Sequence, residues 1–147
     1  MELNDTVEQI LRLKGGPVWS VHPSTSVFDA LALMADKNIG ALPVVWAETV
    51  VGLFSERDYA RKIVLVGRAS RDTPVEEIMS TPPITVPLDQ TVGDCMQLMT
   101  DSRIRHLPVT KEGRLMGIIS IGDLVNWIIS RQADTIQHLR QYISGSY

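Results

Sequence analysis

One cysteine, Cys95, leaves no partner for an intramolecular disulfide, and no grouping of Cys and His has the spacing of a zinc site. A reducing cytoplasm is therefore the expected setting. Long apolar runs are missing as well. None approaches the roughly eighteen residues of a membrane span, and the opening residues, Met1-Glu2-Leu3-Asn4-Asp5, are acidic and polar where a secretory signal would be basic and then apolar. The expectation is a soluble chain without membrane association. Positive charge is not in excess: 14 Lys plus Arg stand against 17 Asp plus Glu, a net charge of −3, which offers no broad footprint for a phosphodiester backbone. Nucleic acid is accordingly not an expected partner. What the 147 residues do hold is apolar side chains, 44% of the total, enough for one good core or two small fused ones without disulfides or metal. The cations are also grouped, at Arg57, Arg61 and Lys62 and again at Arg103, Arg105 and His106, and such groups suit a small anion.

Self-similarity is the strongest signal. Residues 18 to 66 align without a gap to residues 83 to 131, at a constant offset of 65. Val21 pairs with Val86, Asp29 with Asp94, Met34 with Met99, Leu42-Pro43-Val44 with Leu107-Pro108-Val109, Gly52 with Gly117, Ser55 with Ser120 and Asp58 with Asp123.

Each copy reads as β-α-β-β-α. A short β-prone segment, Val18 to Val21 or Ile84 to Val86, precedes a helix start of the S/T-x-x-D type at Ser26 and Thr91. Val27, Ala30, Leu31, Met34 and Ala35 follow helical spacing, matched by Val92, Cys95, Met96 and Met99, so one face is buried and Cys95 is an inert core residue. Segments 41 to 46 with 50 to 54, and 106 to 110 with 114 to 119, read as hairpins, and a second helix begins at Ser55 or Ser120. Val7 to Leu11 and Val75 to Met79 are short leading helices, residues 67 to 73 an exposed loop, and Thr135 to Ile143 an amphipathic C-terminal extension. The expected division is 1–73 for the first repeat with its N-terminal helix and 74–147 for the second with its C-terminal helix. A unit of this size exposes an apolar face, which packing two copies together covers.

The motifs Gly52-Leu53-Phe54-Ser55-Glu56-Arg57-Asp58 and Gly117-Ile118-Ile119-Ser120-Ile121-Gly122-Asp123, each downstream of Leu-Pro-Val, resemble those of the cystathionine-β-synthase (CBS) domain pair, or Bateman module, over nearly the whole chain. The resemblance is strongest to small stand-alone bacterial pairs. It implies an α+β fold of two repeats with pseudo-two-fold symmetry, and two clefts that bind AMP, ADP, ATP, NAD or, less often, S-adenosylmethionine. An Asp in the first turn of a helix suits both ribose hydroxyls, while the nearby Ser and free amides suit phosphate. Carried over by position, the first cleft joins Ser55, Arg57 and Asp58 to Ile84 and Thr85 at the adenine, with Arg105 and His106, just before Leu107-Pro108, facing phosphate. The second joins Ser120 and Asp123 to Trp19 and Ser20, but its cationic pair is replaced by Gly40 and Ala41. The Asp58 cleft is therefore expected to bind phosphate more strongly.

Plainer readings stand beside these. Ser55-x-x-Asp58 and Ser120-x-x-Asp123 are also capping boxes, worth roughly 1 kcal/mol each, and Asp29 and Asp94 read as caps alone. Arg105 and His106 also suit a solvated strand edge, Trp19 also suits the core, and Arg61 and Lys62 read as surface. The expected function is a cytoplasmic regulatory binding module, a homodimer that relays nucleotide occupancy to an unidentified partner protein. A ligand-free interaction scaffold is the alternative. A nucleotide hydrolase is the weaker one, because the motifs supply no activated nucleophile, paired carboxylates or metal cluster.

Overall fold

A computed structural model describes residues 3–144, so Met1 and Glu2 of the acidic opening stretch lie outside the described residues. The chain runs α1 (Val7–Lys14), α2 (Val27–Lys37), β1 (Ala41–Trp46), β2 (Thr49–Ser55) and α3 (Glu56–Tyr59), the last continued by a π turn over Ala60–Val64. After a linker with 3-10 turns at Ser70–Asp72 and Val75–Glu77 come α4 (Val92–Ser102), β3 (His106–Lys111), β4 (Arg114–Ser120) and α5 (Ile121–Ser144).

The two copies are built alike in detail. Ser26 Oγ accepts from the amide of Asp29 at 3.0 Å and Thr91 Oγ1 from that of Asp94 at 3.1 Å, so α2 and α4 start on the expected caps. Both end on a residue in the left-handed region, Asn38 and Arg103. The hairpins pair Ala41 with Ser55 and His106 with Ser120, and each carries an irregularity at the same place, after Val44 and after Val109. The β-prone leading segments are shorter than strands. Each makes one parallel bridge, Val21 to Val44 and Val86 to Val109. Pro87 directly after Val86, and Pro23 two residues after Val21, lack the amide that a longer ladder would need.

Packing crosses the division at residue 73. The first core gathers Val21, Val27, Ala30, Met34, Leu42, Val44, Phe54 and Ile63, together with Val75 and Ile78 from the linker. The second gathers Val86, Val92, Cys95, Met99, Leu107, Val109, Ile119 and Leu124, together with Val7 and Ile10 of α1. Each repeat is thus capped by the segment that leads the other. These crossings explain the motif glycines: a Cβ on Gly117 would sit 2.6 Å from Leu11 Cδ2, and one on Gly52 would collide with Met79. Cys95 is fully buried, and burial, with Asp94 adding, pushes its thiol up to about 11, which makes it inert. Thr73, the end of the expected exposed loop, is buried instead. Its hydroxyl donates to the Ala69 carbonyl and its carbonyl accepts from Val27.

The second helices differ most. The first repeat's helix stops in its π turn, whereas α5 runs 24 residues and absorbs the C-terminal extension. Its first turns dock through Leu124 and through Asp5, which accepts from Trp127 Nε1 at 2.9 Å and pairs with Arg131 at 3.1 Å. Residues 132–141 are exposed, with Ile129, Ile136, Leu139 and Ile143 uncovered. No helix among the described residues is long and apolar enough to cross a membrane.

Candidate functional site

Ser55 ends β2 and caps α3, which fixes Asp58 in the first turn. Asp58 Oδ2 accepts from the Ser55 amide at 3.0 Å and its hydroxyl at 3.1 Å, while the Asp58 amide donates back to Ser55 Oγ. The other oxygen, Oδ1, accepts from Ser80 Oγ and from the Lys62 ammonium, both at 3.2 Å. The capping box is therefore real, and Asp58 is only 6% exposed. The cap does not exhaust its role, because this carboxylate lies in the wall of a cavity of about 770 Å³ between the repeats.

The cavity wall joins Leu53, Ser55, Asp58, Ser80, Pro82, Pro83 and Ile84 to Gly40, Glu56, Arg57, Arg61, Met99, Thr100, Arg103, Ile104, Arg105 and His106. Four guanidinium groups face two carboxylates, so the cavity is cationic in a chain that is net acidic. Arg57 Nη1 donates to the Arg103 carbonyl at 2.7 Å, a tie from α3 of one repeat to the end of α4 in the other. Burial holds His106 below its usual value against the opposing charge of Asp123, with Lys14 and Arg105 lowering it further and Glu56 raising it, so the ring is neutral at pH 7. Gly40 makes room for it: a Cβ there would meet the ring at 3.4 Å.

Of the residues expected from sequence, the structure brings Ser55, Arg57, Asp58, Ile84, Arg105 and His106 into one wall. Thr85 is half-buried beside Ile84, and Pro108 is buried in β3 opposite Ile118; neither is in that wall. The second set is arranged differently. Ser120 and Asp123 reproduce the reciprocal cap, with the Ser120 amide 2.9 Å from Asp123 Oδ2 and the Asp123 amide 3.1 Å from Ser120 Oγ. Lys14 Nζ also lies on Oδ2, at 2.9 Å. Burial pushes this carboxyl up, but the Ser120 amide and Lys14 outweigh it and hold it below the usual carboxylate value. Trp19 packs on the first core with the Lys37 ammonium 4.4 Å over its ring, Ser20 is exposed, and Ala41 is buried at the start of β1.

Sequence reasoning missed Ser80, Glu56 and the two proline neighbours of Ile84, and it placed Arg61 on the surface. Arg61 and Arg103 were visible only as members of the two basic groups. Ser80 carried no signal, since it lies in the linker where the 65-residue register does not apply. Among the described residues no group of His, Cys, Asp and Glu could hold a metal ion.

A family model described as CBS domain matches residues 7–65 and 75–130. The chain is similar to a mitochondrial CBS domain-containing protein of Arabidopsis thaliana, 39% identical over 152 residues that span 97% of this chain and 73% of that one. Among solved structures, it is similar to a protein with CBS domains from Burkholderia ambifaria MC40-6, at 48% identity and a TM-score of 0.82 over 87% of this chain and 96% of that one. It is also similar to a CBS domain pair solved in complex with 5′-methylthioadenosine and S-adenosyl-L-methionine, at 26% identity and a TM-score of 0.75 over 86% of this chain and 98% of that one.

Proposed function

The chain belongs to the CBS domain family, as a tandem pair, and on that premise we propose that it is a regulatory module that binds AMP, ADP, ATP or NAD at Asp58 and relays occupancy to a partner protein. The observation that carries the proposal is the cavity of about 770 Å³ in which one buried helix-start carboxylate shares a wall with four guanidinium groups. That volume lies within the range of small-molecule sites, roughly 300 to 1,000 Å³. A carboxylate offers about four acceptor positions, and Asp58 already uses them on Ser55, Ser80 and Lys62. A ribose hydroxyl therefore takes the place of the Ser80 hydroxyl, which lines the same cavity and can turn to accept from the sugar. Ile84 and the two prolines before it offer apolar surface to a base, and the arginines take phosphate, bidentate where the geometry permits. The related pair that holds two adenosine compounds supports adenosine as the common element.

Reaction chemistry is not part of the proposal: the cavity's two serines are spent on Asp58, and His106 is a neutral, half-buried ring without a nucleophile assigned to it. The uncovered α5 residues fit a homodimer. Val125, Ile129, Ile136, Leu139 and Ile143 recur at the alternating three-and-four spacing of a helix–helix seam, with Gln132 at the one polar step.

The test is a thermal-unfolding panel with AMP, ADP, ATP, NAD, NADH and S-adenosylmethionine. At one hundred times its Kd a ligand adds about 2.7 kcal/mol, roughly 5 to 10 °C for a chain of this size. A response that vanishes in Arg105→Ala supports the cavity. Silence to every compound leaves the scaffold reading, which the ligand-free saturation of Asp58 would then favour.

A further inference from the structure

A second hollow adjoins the cavity at Asp58. It measures about 480 Å³, shares Gly40 and Glu56 with that cavity, and is otherwise walled by Leu31, Met34, Ala35, Asn38, Ile39 and Tyr59 of the first repeat. The two shared residues are tied together, because the Glu56 amide donates to the Gly40 carbonyl at 3.2 Å. A Cβ on Gly40 would lie 3.4 Å from the His106 ring and 3.7 Å from Glu56 Oε1. Residue 40 lines both hollows and has no side chain, so nothing from that position blocks the junction.

The two hollows differ in chemistry. The first holds Arg57, Arg61, Arg103 and Arg105 and suits phosphate. The second has no cation in its wall and is lined mainly by the apolar side chains of Leu31, Met34, Ala35 and Ile39, with the Asn38 amide and the Tyr59 hydroxyl as groups able to fix the orientation of a ring. At the junction the Glu56 carboxylate carries no hydrogen bond or ion pair among the described residues, so its acceptor positions are open. A further phosphate there would meet a negative charge and no cation beyond it, whereas a sugar hydroxyl can donate to it. The joined wall thus offers two carboxylates, a group of arginines and two separate apolar surfaces, Ile84 with its prolines in one hollow and Leu31 to Ile39 in the other. A dinucleotide has the matching parts: two riboses, a pyrophosphate and two rings.

We propose that the Asp58 cleft is one half of a dinucleotide site: a pyridine dinucleotide places its adenosine at Asp58 and its nicotinamide in the hollow beside Ala35 and Tyr59, with Glu56 taking the second ribose. The proposal rests on the reading of the Asp58 cleft as a nucleotide site, and the experiment separates the two. Titration calorimetry with AMP, ADP-ribose and NADH is run on the full chain and on Ala35→Trp, which fills the second hollow from an exposed position on α2. NADH is expected to bind the native chain about tenfold more tightly than AMP, and Ala35→Trp to weaken NADH by about tenfold while leaving AMP unchanged. ADP-ribose, which lacks the ring, falls between AMP and NADH on the native chain. Emission from the dihydronicotinamide, which rises in apolar surroundings, increases on binding to the native chain and not on binding to the variant. NADH no tighter than AMP, as when a second copy covers the hollow, or ADP-ribose as tight as NADH, overturns the dinucleotide reading and leaves the Asp58 site standing. Those comparisons are made within the native chain, so they hold whether or not the variant folds. Binding of none of the three compounds refutes the nucleotide reading and this proposal with it.

Discussion

Removing the Asp58 carboxylate without any ligand present measures how much of that residue is structural. In Asp58→Ala the Ser55 amide, now paired at 3.0 Å, loses its acceptor in a place where the side chain is 7% exposed. An unsatisfied buried donor costs about 1–3 kcal/mol, and the lost hydrogen bond from the part-buried Ser55 hydroxyl adds about 1 kcal/mol. Lys62 is 45% exposed and rehydrates, so the ion pair adds little. The total is about 2–4 kcal/mol. Asp123→Ala removes a carboxylate that is 23% exposed, whose partner Lys14 is 41% exposed, so water reaches both and about 1–2 kcal/mol is lost. Urea unfolding reads the difference. With a slope of about 2 kcal/mol per molar, the midpoint falls by about 1–2 M for Asp58→Ala and by about half that for Asp123→Ala, with the slope unchanged. Asp58→Asn, which keeps an acceptor for the Ser55 amide, falls by less than Asp58→Ala. Equal losses at the two acids, or a loss for Asp58→Ala below 0.5 M, about 1 kcal/mol, would refute the claim that burial makes the first cap the costlier one.

Gly117→Ala forces a Cβ against Leu11 at 2.6 Å and is expected to cost about 1–3 kcal/mol by thermal unfolding, with part of the loss relieved in Gly117→Ala/Leu11→Ala. Ile136→Glu/Leu139→Glu places charge among the uncovered apolar residues of α5, so under the proposed homodimer sedimentation velocity is expected to report a dimer for the native chain and a monomer for the variant. Burial depresses His106 in the folded chain, so the unfolded chain binds the proton first. Its contribution to stability is full above pH 6.5 and is lost as pH falls through that value, and unfolding free energies measured from pH 8 to pH 5 should slope less in His106→Asn.

The architecture was legible because both copies repeat the same local instructions. Ser26 and Thr91 are caps in the sequence and caps in space, and the turns between Trp46 and Thr49 and between Lys111 and Arg114 close hairpins with one register. What periodicity could not show is which copy each leading segment serves. Val7 and Ile10 have the spacing of a short helix whichever core they enter, and only the folded chain shows them against Val92 and Leu107, with Val75 and Ile78 against Val27 and Leu42. The motif glycine is the trace of that crossing. A residue without Cβ was readable at Gly52 and Gly117, but the side chains that require it, Met79 and Leu11, are contributed by the leading segments.

The same crossing explains why half of the candidate site was hidden. Residues within the register, such as Asp58, Arg105 and His106, could be assigned by carrying the pattern of the resembled family over by position, and they line one cavity. Ser80 and Lys14 lie in the leading segments, where Val7 to Leu11 echoes Val75 to Met79 at a different spacing, so no alignment of the copies brings these two side chains to the same place. Yet both converge on the matching acid of the unit they cap, through a carbonyl at the matching strand position, Leu53 or Ile118. The duplicated motif fixes the acid and its cap, and the less similar leading segment chooses the donor that faces it.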